Sequence, residues 1–106
     1  TREARRILMD IPDADMKGIR SASETYAKLL AAQIRQRFNS DWGLSETGAS
    51  GPTGNRYGDT AGHSCIGIAG AEARAITLET GSADRVGNMQ VFAKTALSEL
   101  LATLSD

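Results

Sequence analysis

The chain has a single cysteine among its 106 residues, so no disulfide framework can form within it. Cys65 therefore reads as a small packed hydrophobe in a protein of a reducing compartment. Aromatic residues are scarce, with two Phe, two Tyr and one Trp, which leaves the core to Leu, Ile, Val, Met and Ala. No apolar run approaches the roughly 18 residues of a membrane span, and no signal-peptide pattern opens the sequence. Excess positive charge is also missing. Twelve Lys and Arg stand against 13 Asp and Glu, for a formal net charge of −1, which gives nucleic-acid binding no support. One histidine and scattered carboxylates offer no metal-ligand spacing, and no cofactor motif is present. The expected partners are thus neither nucleic acid nor membrane.

What is present is ordinary for a globular chain: 41% hydrophobic and 24% charged residues, enough for one domain spanning 1–106. The charge is uneven. Residues 1–38 hold eight Lys and Arg against five Asp and Glu, while residues 39–106 hold four against eight. A mildly basic first third suits an anionic ligand, and solvated helix faces account for it equally well.

Periodicity supplies the elements. Thr1–Met9 reads as a short helix ended ahead of Pro12, and Ile11–Arg20 as a polar connection. Ser21 with Glu24 matches a capping box, followed by Tyr26, Leu29, Leu30, Ile34 and Phe38 at helical spacing. Trp42 and Leu44 alternate with Gly43 and Ser45 as a short strand, with Trp42 expected in the core. Ser64–Ala69 is a buried-type strand and Arg74–Thr80 alternates as its hairpin partner. Ser82 is expected to cap a last helix, with Val86, Met89, Ala93, Leu97, Leu100 and Leu104 on one face. Met89 and Phe92 read as core or interface. The expected fold is α/β, a layered α/β/α arrangement with a small mixed sheet. Two full helices on three strands make a thin core, so a strand–helix partner or a homo-oligomer is expected to complete it.

Between the first two strands lies TGASGPTGNRYGDTAGH, residues 47–63, with five glycines and the only histidine. A loop this long that cannot build core is either functional or disordered. Gly48, Gly51 and Gly54 recur every three residues, which lets the backbone adopt positive φ and approach a ligand. Successive amides in such a turn form a concavity for phosphate or carboxylate, with Thr47, Ser50 and Thr53 as hydroxyl donors and Arg56 as a charge. The spacing fits neither a P-loop nor a dinucleotide fingerprint, and spacing alone leaves an anion site and a structural loop equally open. His63 reads either as a general base, with Asp59 the nearby carboxylate, or as a hydrogen-bonded structural residue at a strand start. Ser45 and Glu46 read as strand-end residues.

The stretch GLSETGASGPTGNRYGDTAGHSCIGIAG resembles the signature of the CinA C-terminal domain family, whose motif reads approximately T-G-x-x-G-P-x-G. Thr47, Gly48, Gly51, Pro52 and Gly54 meet it here, with Thr53 inside the motif. The likeness continues through TLETGSADRVGNMQVFAKTALSELL and back through SETYAKLLAAQIRQRF. It implies an amidohydrolase that converts nicotinamide mononucleotide to the nicotinic acid form plus ammonia, with no cofactor and a cytoplasmic location. Thr47, Gly48, Ser50, Gly51, Thr53 and Gly54 would then line the substrate site.

The resemblance also implies a strand and helix with an A-E-S-C-T-G-G-like motif, and a Y-S/T-N-x-x-K-like segment, ahead of Thr1. The chain would be the C-terminal two-thirds of the domain. Thr1 would follow the family's tyrosine, and Arg5 would stand at the family's lysine. A serine nucleophile activated by tyrosine and lysine is the mechanism implied. Arg5 is a poor base because a guanidinium stays protonated. The chain by itself is therefore expected to bind substrate without hydrolysing it, and to be active only with the absent N-terminal segment, whether covalent, lost by processing or supplied by another chain. The alternative is a non-catalytic nucleotide-binding, anion-binding or protein-interaction module of the same fold.

Overall fold

A computed structural model of the chain describes residues 2–104. Thr1, assigned above to the first helix and to the position after the family's tyrosine, lies outside the described residues. Helix α1 spans Arg2–Leu8, a single 3-10 turn follows at Asp13–Met16, and helix α2 spans Glu24–Phe38. Strands β1 (Gly43–Ala49), β2 (His63–Ala69) and β3 (Ala73–Glu79) come next, then helix α3 (Arg85–Leu104). Among the described residues no helix is long and apolar enough to cross a membrane.

The strands form one sheet in the order β1-β2-β3, antiparallel at both junctions, with Thr47 opposite Cys65 and Cys65 opposite Thr77. The layered α/β architecture stands, but the mixed sheet does not. Each strand returns beside its predecessor through a loop or tight turn, with no crossover that would make a parallel pair. Alternation along the strands gives the sheet two distinct faces. Positions 45, 47, 63, 65, 67 and 77 share one face, covered by α2; positions 46, 48, 64, 66 and 74 share the other, where α3 lies over β1 and β2. β2 is buried along its whole length, as its uninterrupted apolar run SCIGIA leads one to expect.

The α2 face is built from small residues. Ala27 and Ala31 have no exposed surface, and a Cβ on Gly67 or Gly43 would run into their carbonyl oxygens. Ser45 Oγ donates to Ala27 O at 2.5 Å, so a side chain from the sheet bonds directly to the helix backbone. The start of α2 differs from the capping box expected at Ser21. The cap is Ser23, whose Oγ accepts from Tyr26 N at 3.2 Å, and Ser21 sits two residues outside. At the other end Asn39 takes the left-handed conformation, φ 49°, and its N–H closes onto Arg35 and Gln36 carbonyls.

Three further expectations shift. β1 runs on through Thr47 and Gly48, so the family-type motif begins inside a strand rather than at a loop. Trp42 lies ahead of β1, 37% exposed, with its ring over Gly70 rather than in the core. In α3 the buried positions are Asn88, Phe92 and Ala96, while Val86, Met89, Leu97 and Leu104 of the expected core stripe are exposed. The inward register follows Asn88. Its side-chain amide donates to Ser50 O (2.9 Å) and Ser82 O (2.8 Å), and its Oδ1 accepts from Thr80 Oγ1 (2.6 Å). Those loop carbonyls need a buried donor, and a helix rotated to bury the leucines would leave them without one.

Candidate functional site: a cationic cleft and a divided glycine motif

An open cleft of about 850 Å³ lies where the connection before α2 meets β1 and the long loop. Arg5, Ala14, Met16, Lys17, Ile19, Ser21, Tyr26, Thr47, Arg56 and Tyr57 line it. Among the described residues that line it, three are cations and none is a carboxylate, so the cleft attracts anions. α1 supplies Arg5, whose guanidinium carbon sits 5.8 Å from the centre of the Tyr26 ring. β1 supplies Thr47, whose Oγ1 accepts from Ala22 N at 3.1 Å. With that acceptor role filled, the hydroxyl retains its own O–H to donate.

The loop folds on its own polar groups. Asn55 Oδ1 accepts from the amides of Tyr57 (3.0 Å) and Asp59 (3.2 Å), and Asn55 Nδ2 donates to Asp59 Oδ2 at 2.9 Å. Arg20 fastens this turn to the other wall by donating to Asp59 Oδ2 at 2.5 Å. The Arg20 bond, then the Asn55 bond, hold the Asp59 carboxyl below its usual range, so it stays ionised. The guanidinium groups of Arg20 and Arg56 lie over the Tyr57 ring, at 5.6 and 5.1 Å from its centre. Its phenol pairs with Ser21 Oγ at 3.3 Å and accepts from Arg56 Nη2 at 3.0 Å, which together draw its pKa down from the ordinary tyrosine value. Hydroxyls beside these cations can receive an oxyanion.

The structure divides the motif expected to form one site. Arg5 and Thr47 meet at the cationic cleft. Gly48 and Ser50 line a smaller cleft of about 370 Å³ on the α3 side, with Glu46, Arg85, Met89, Phe92 and Ala93. Gly51 has φ +108°, its carbonyl accepts from Arg85 Nη1 at 2.9 Å, and a Cβ there would come within 2.9 Å of Ala83 O. Positive φ is needed at that one member of the Gly48, Gly51, Gly54 triplet. Gly48 and Gly54 instead give room to neighbouring backbone, at His63 and Asp59 respectively. Thr53 is exposed and lines neither cleft.

Reading the sequence missed Lys17, Ser21, Tyr26 and Tyr57 as members of one cleft. The cluster NRYGD held the signal for Tyr57, since Asn, Gly and Asp around an aromatic make a turn that presents it. Ser21 was concealed by its resemblance to a cap. His63 begins β2, 5% exposed, with Nε2 donating to Ala22 O at 2.7 Å and Nδ1 on Glu79 Oε1. Its nitrogens do not face the cleft, which selects the structural reading over the general base. Cys65 is buried and its thiol is pushed up by that burial, so it packs rather than reacts.

With this geometry in place, likenesses to known proteins carry weight. A family model described as CinA C-terminal domain matches residues 1–104. The CinA-like protein of Microcystis aeruginosa is 31% identical over 100 residues, covering 92% of this chain and 24% of that protein. The CinA-like protein of Salinibacter ruber is 30% identical over 102 residues, covering 96% of this chain and 25% of its own. The chain thus spans about a quarter of the length of these curated relatives. Among solved structures, the competence or damage-inducible protein of Enterobacter asburiae superposes with TM-score 0.88 at 26% identity, over 98% of this chain and 65% of that one. The CinA superfamily protein of Enterobacter cloacae gives TM-score 0.87 at 22% identity, over 98% and 62%. Fold, motif and sequence agree: the chain belongs to the CinA C-terminal domain family.

Proposed function

We propose that this chain forms the substrate-binding part of a nicotinamide mononucleotide amidohydrolase. The observation that carries the reading is the cationic cleft, where Arg5, Lys17 and Arg56 surround the hydroxyls of Ser21 and Thr47 and the rings of Tyr26 and Tyr57. The cations hold the phosphate, and the Thr47 O–H donates to a substrate oxygen. The hydrolytic step falls to the serine that the family resemblance puts ahead of Thr1, in which case this chain positions the carboxamide and does not attack it. The Ser50, Gly51 and Gly54 segment lies outside this cleft and leads the chain into the turn that presents Arg56 and Tyr57.

One observation favours a second reading, that of a non-catalytic nucleotide-binding module. Arg5 stands where the family's lysine is expected, and a guanidinium cannot give up a proton at working pH. Calorimetry with nicotinamide mononucleotide, run beside an ammonia-release assay, separates the two. Saturable binding that weakens about tenfold in each of Arg5→Ala and Arg56→Ala is the expected result. Unchanged affinity in the double variant, or no saturable binding, overturns both readings. Ammonia release on adding the serine-bearing segment selects the amidohydrolase; binding without release under that condition selects the module.

A further inference from the structure

Behind the cleft, His63 occupies a setting that a neutral imidazole cannot satisfy. Its Nε2 lies 2.7 Å from Ala22 O, and its Nδ1 lies against Glu79 Oε1. Both partners are acceptors only, so both ring nitrogens must carry protons. The second carboxylate, Asp59, stands 3.6 Å from Nε2 and is itself held by Arg20. From its own strand the ring meets the Cys65 thiol at 3.9 Å, and Thr77 of β3 links that thiol to Glu24 of α2. Among the described residues no cation bonds to the ring; Arg20 is one residue removed, bonded to Asp59. Burial opposes charging the ring, but the bonds to Ala22 and Glu79 with the charges of Asp59 and Glu79 outweigh it, and the pKa rises above 6.5.

The acceptor of the Nε2 proton is unusual in its own right. Ala22 is 3% exposed and holds φ +56°, a left-handed conformation that non-glycine residues rarely adopt. Its peptide groups are pinned on both sides. The carbonyl accepts from His63, and the amide donates to Thr47 Oγ1 at 3.1 Å. The second bond fixes Thr47 Oγ1 through one of its lone pairs, while the hydroxyl hydrogen stays available to the cleft.

We propose that His63, as an imidazolium, is a positioning residue: it clamps the strained Ala22 peptide and thereby sets the Thr47 hydroxyl as a donor toward the bound anion. The ligand half of this inference rests on the cleft reading given above; the clamp half does not. Removing the proton leaves one N–H for two acceptors, so a lone pair must face either Ala22 O or Glu79. Both ring bonds are held at pH below the unfolded-state value of about 6.5, and as pH rises through the higher folded-state pKa the ring keeps only one of them, so its grip on the Ala22 carbonyl is no longer fixed. Site order therefore falls on the alkaline side, the direction opposite to loss of a carboxylate pair.

The test is nitrogen NMR of the His63 ring in the full chain, with Ala22 amide exchange and nicotinamide mononucleotide affinity followed over the same pH range. Both ring nitrogens are expected to be protonated near neutrality. Above the ring's midpoint, the Ala22 amide should exchange about tenfold faster than base catalysis alone explains. Affinity should fall about tenfold across that midpoint. In Glu79→Gln, where an exposed carboxylate becomes a neutral acceptor, all three midpoints should move down together by about one pH unit. A single neutral tautomer near neutrality overturns the proposal, as does an affinity midpoint that stays fixed while the ring midpoint moves. If the wild type binds no nucleotide at any pH, the cleft reading fails, and the ring and amide signals still decide the clamp. Should His63→Gln fail to fold, Glu79→Gln supplies the answer without it.

Discussion

The two faces of the sheet are built on opposite plans. On the α2 face, alanine meets glycine, and a serine hydroxyl reaches the carbonyl of Ala27 inside the helix. On the α3 face, contact runs through one narrow line, Asn88, Phe92 and Ala96, while Val86, Met89, Leu97, Leu101 and Leu104 stay exposed. Close backbone approach leaves α2 no freedom to slide, because every ångström of movement meets main chain rather than a side-chain tip. It is this rigid face that carries Ser21, Ala22 and Thr47 to the cationic cleft. The looser face carries a stripe of leucines that covers nothing in the described residues. Precision at the candidate site is thus bought with small residues, not with a large core.

Substitutions can break this contrast, beginning with the most damaging. Gly67→Val would drive a side chain into the Ala27 carbonyl and should cost at least about 3 kcal/mol, visible as loss of the cooperative urea transition. Phe92→Ala removes the single large apolar anchor of α3, 4% exposed, and should cost about 3 kcal/mol by the same measurement. A far smaller loss there would show that α3 barely contributes, widening the difference between the faces. Ser45→Ala deletes the sheet-to-helix bond and leaves Ala27 O with its helical partner, so about 1 kcal/mol is expected. Leu97→Ser, at a position 62% exposed, should change stability by less than about 0.5 kcal/mol. A loss of about 2 kcal/mol that depends on protein concentration would instead mean that a second copy covers the stripe, as a homo-oligomer requires.

What could be read in advance follows from where each signal resides. α2, β2 and β3 were legible because their patterns are local: helical spacing from Tyr26 to Phe38, an unbroken apolar run in β2, and alternation in β3. The face of α3 was not, because it is chosen by Asn88 answering carbonyls of residues 50 and 82, and hydropathy carries no such information. Ser21 and Ser23 both satisfy a cap pattern, and only the backbone decides which one does. For the candidate site, Thr47 and Arg5 were visible through the family motif. The cleft that joins them to Tyr26 and Tyr57 depends on how residues 5, 26, 47 and 57 converge, a long-range outcome of the fold. The motif glycines were legible as glycines but not as to purpose, since making room for a neighbouring strand and binding an anion demand the same residue.

The placement of Trp42 has a practical consequence. It rests over Gly70 beside the first pair of the β1–β2 ladder, five residues and about 17 Å of strand away from Thr47. The only indole in the chain is therefore a spectroscopic witness to the far end of the sheet, while the phenol of Tyr57, with two arginines over its ring, looks onto the cleft. Excited at wavelengths that only the indole absorbs, Trp42 reports on one end of the molecule, whereas tyrosine emission comes from Tyr26 and Tyr57, both of which line the cleft at the other. A titration that alters tyrosine emission and leaves the indole unmoved marks an event at the cleft, whereas a simultaneous change in both marks the opening of the sheet.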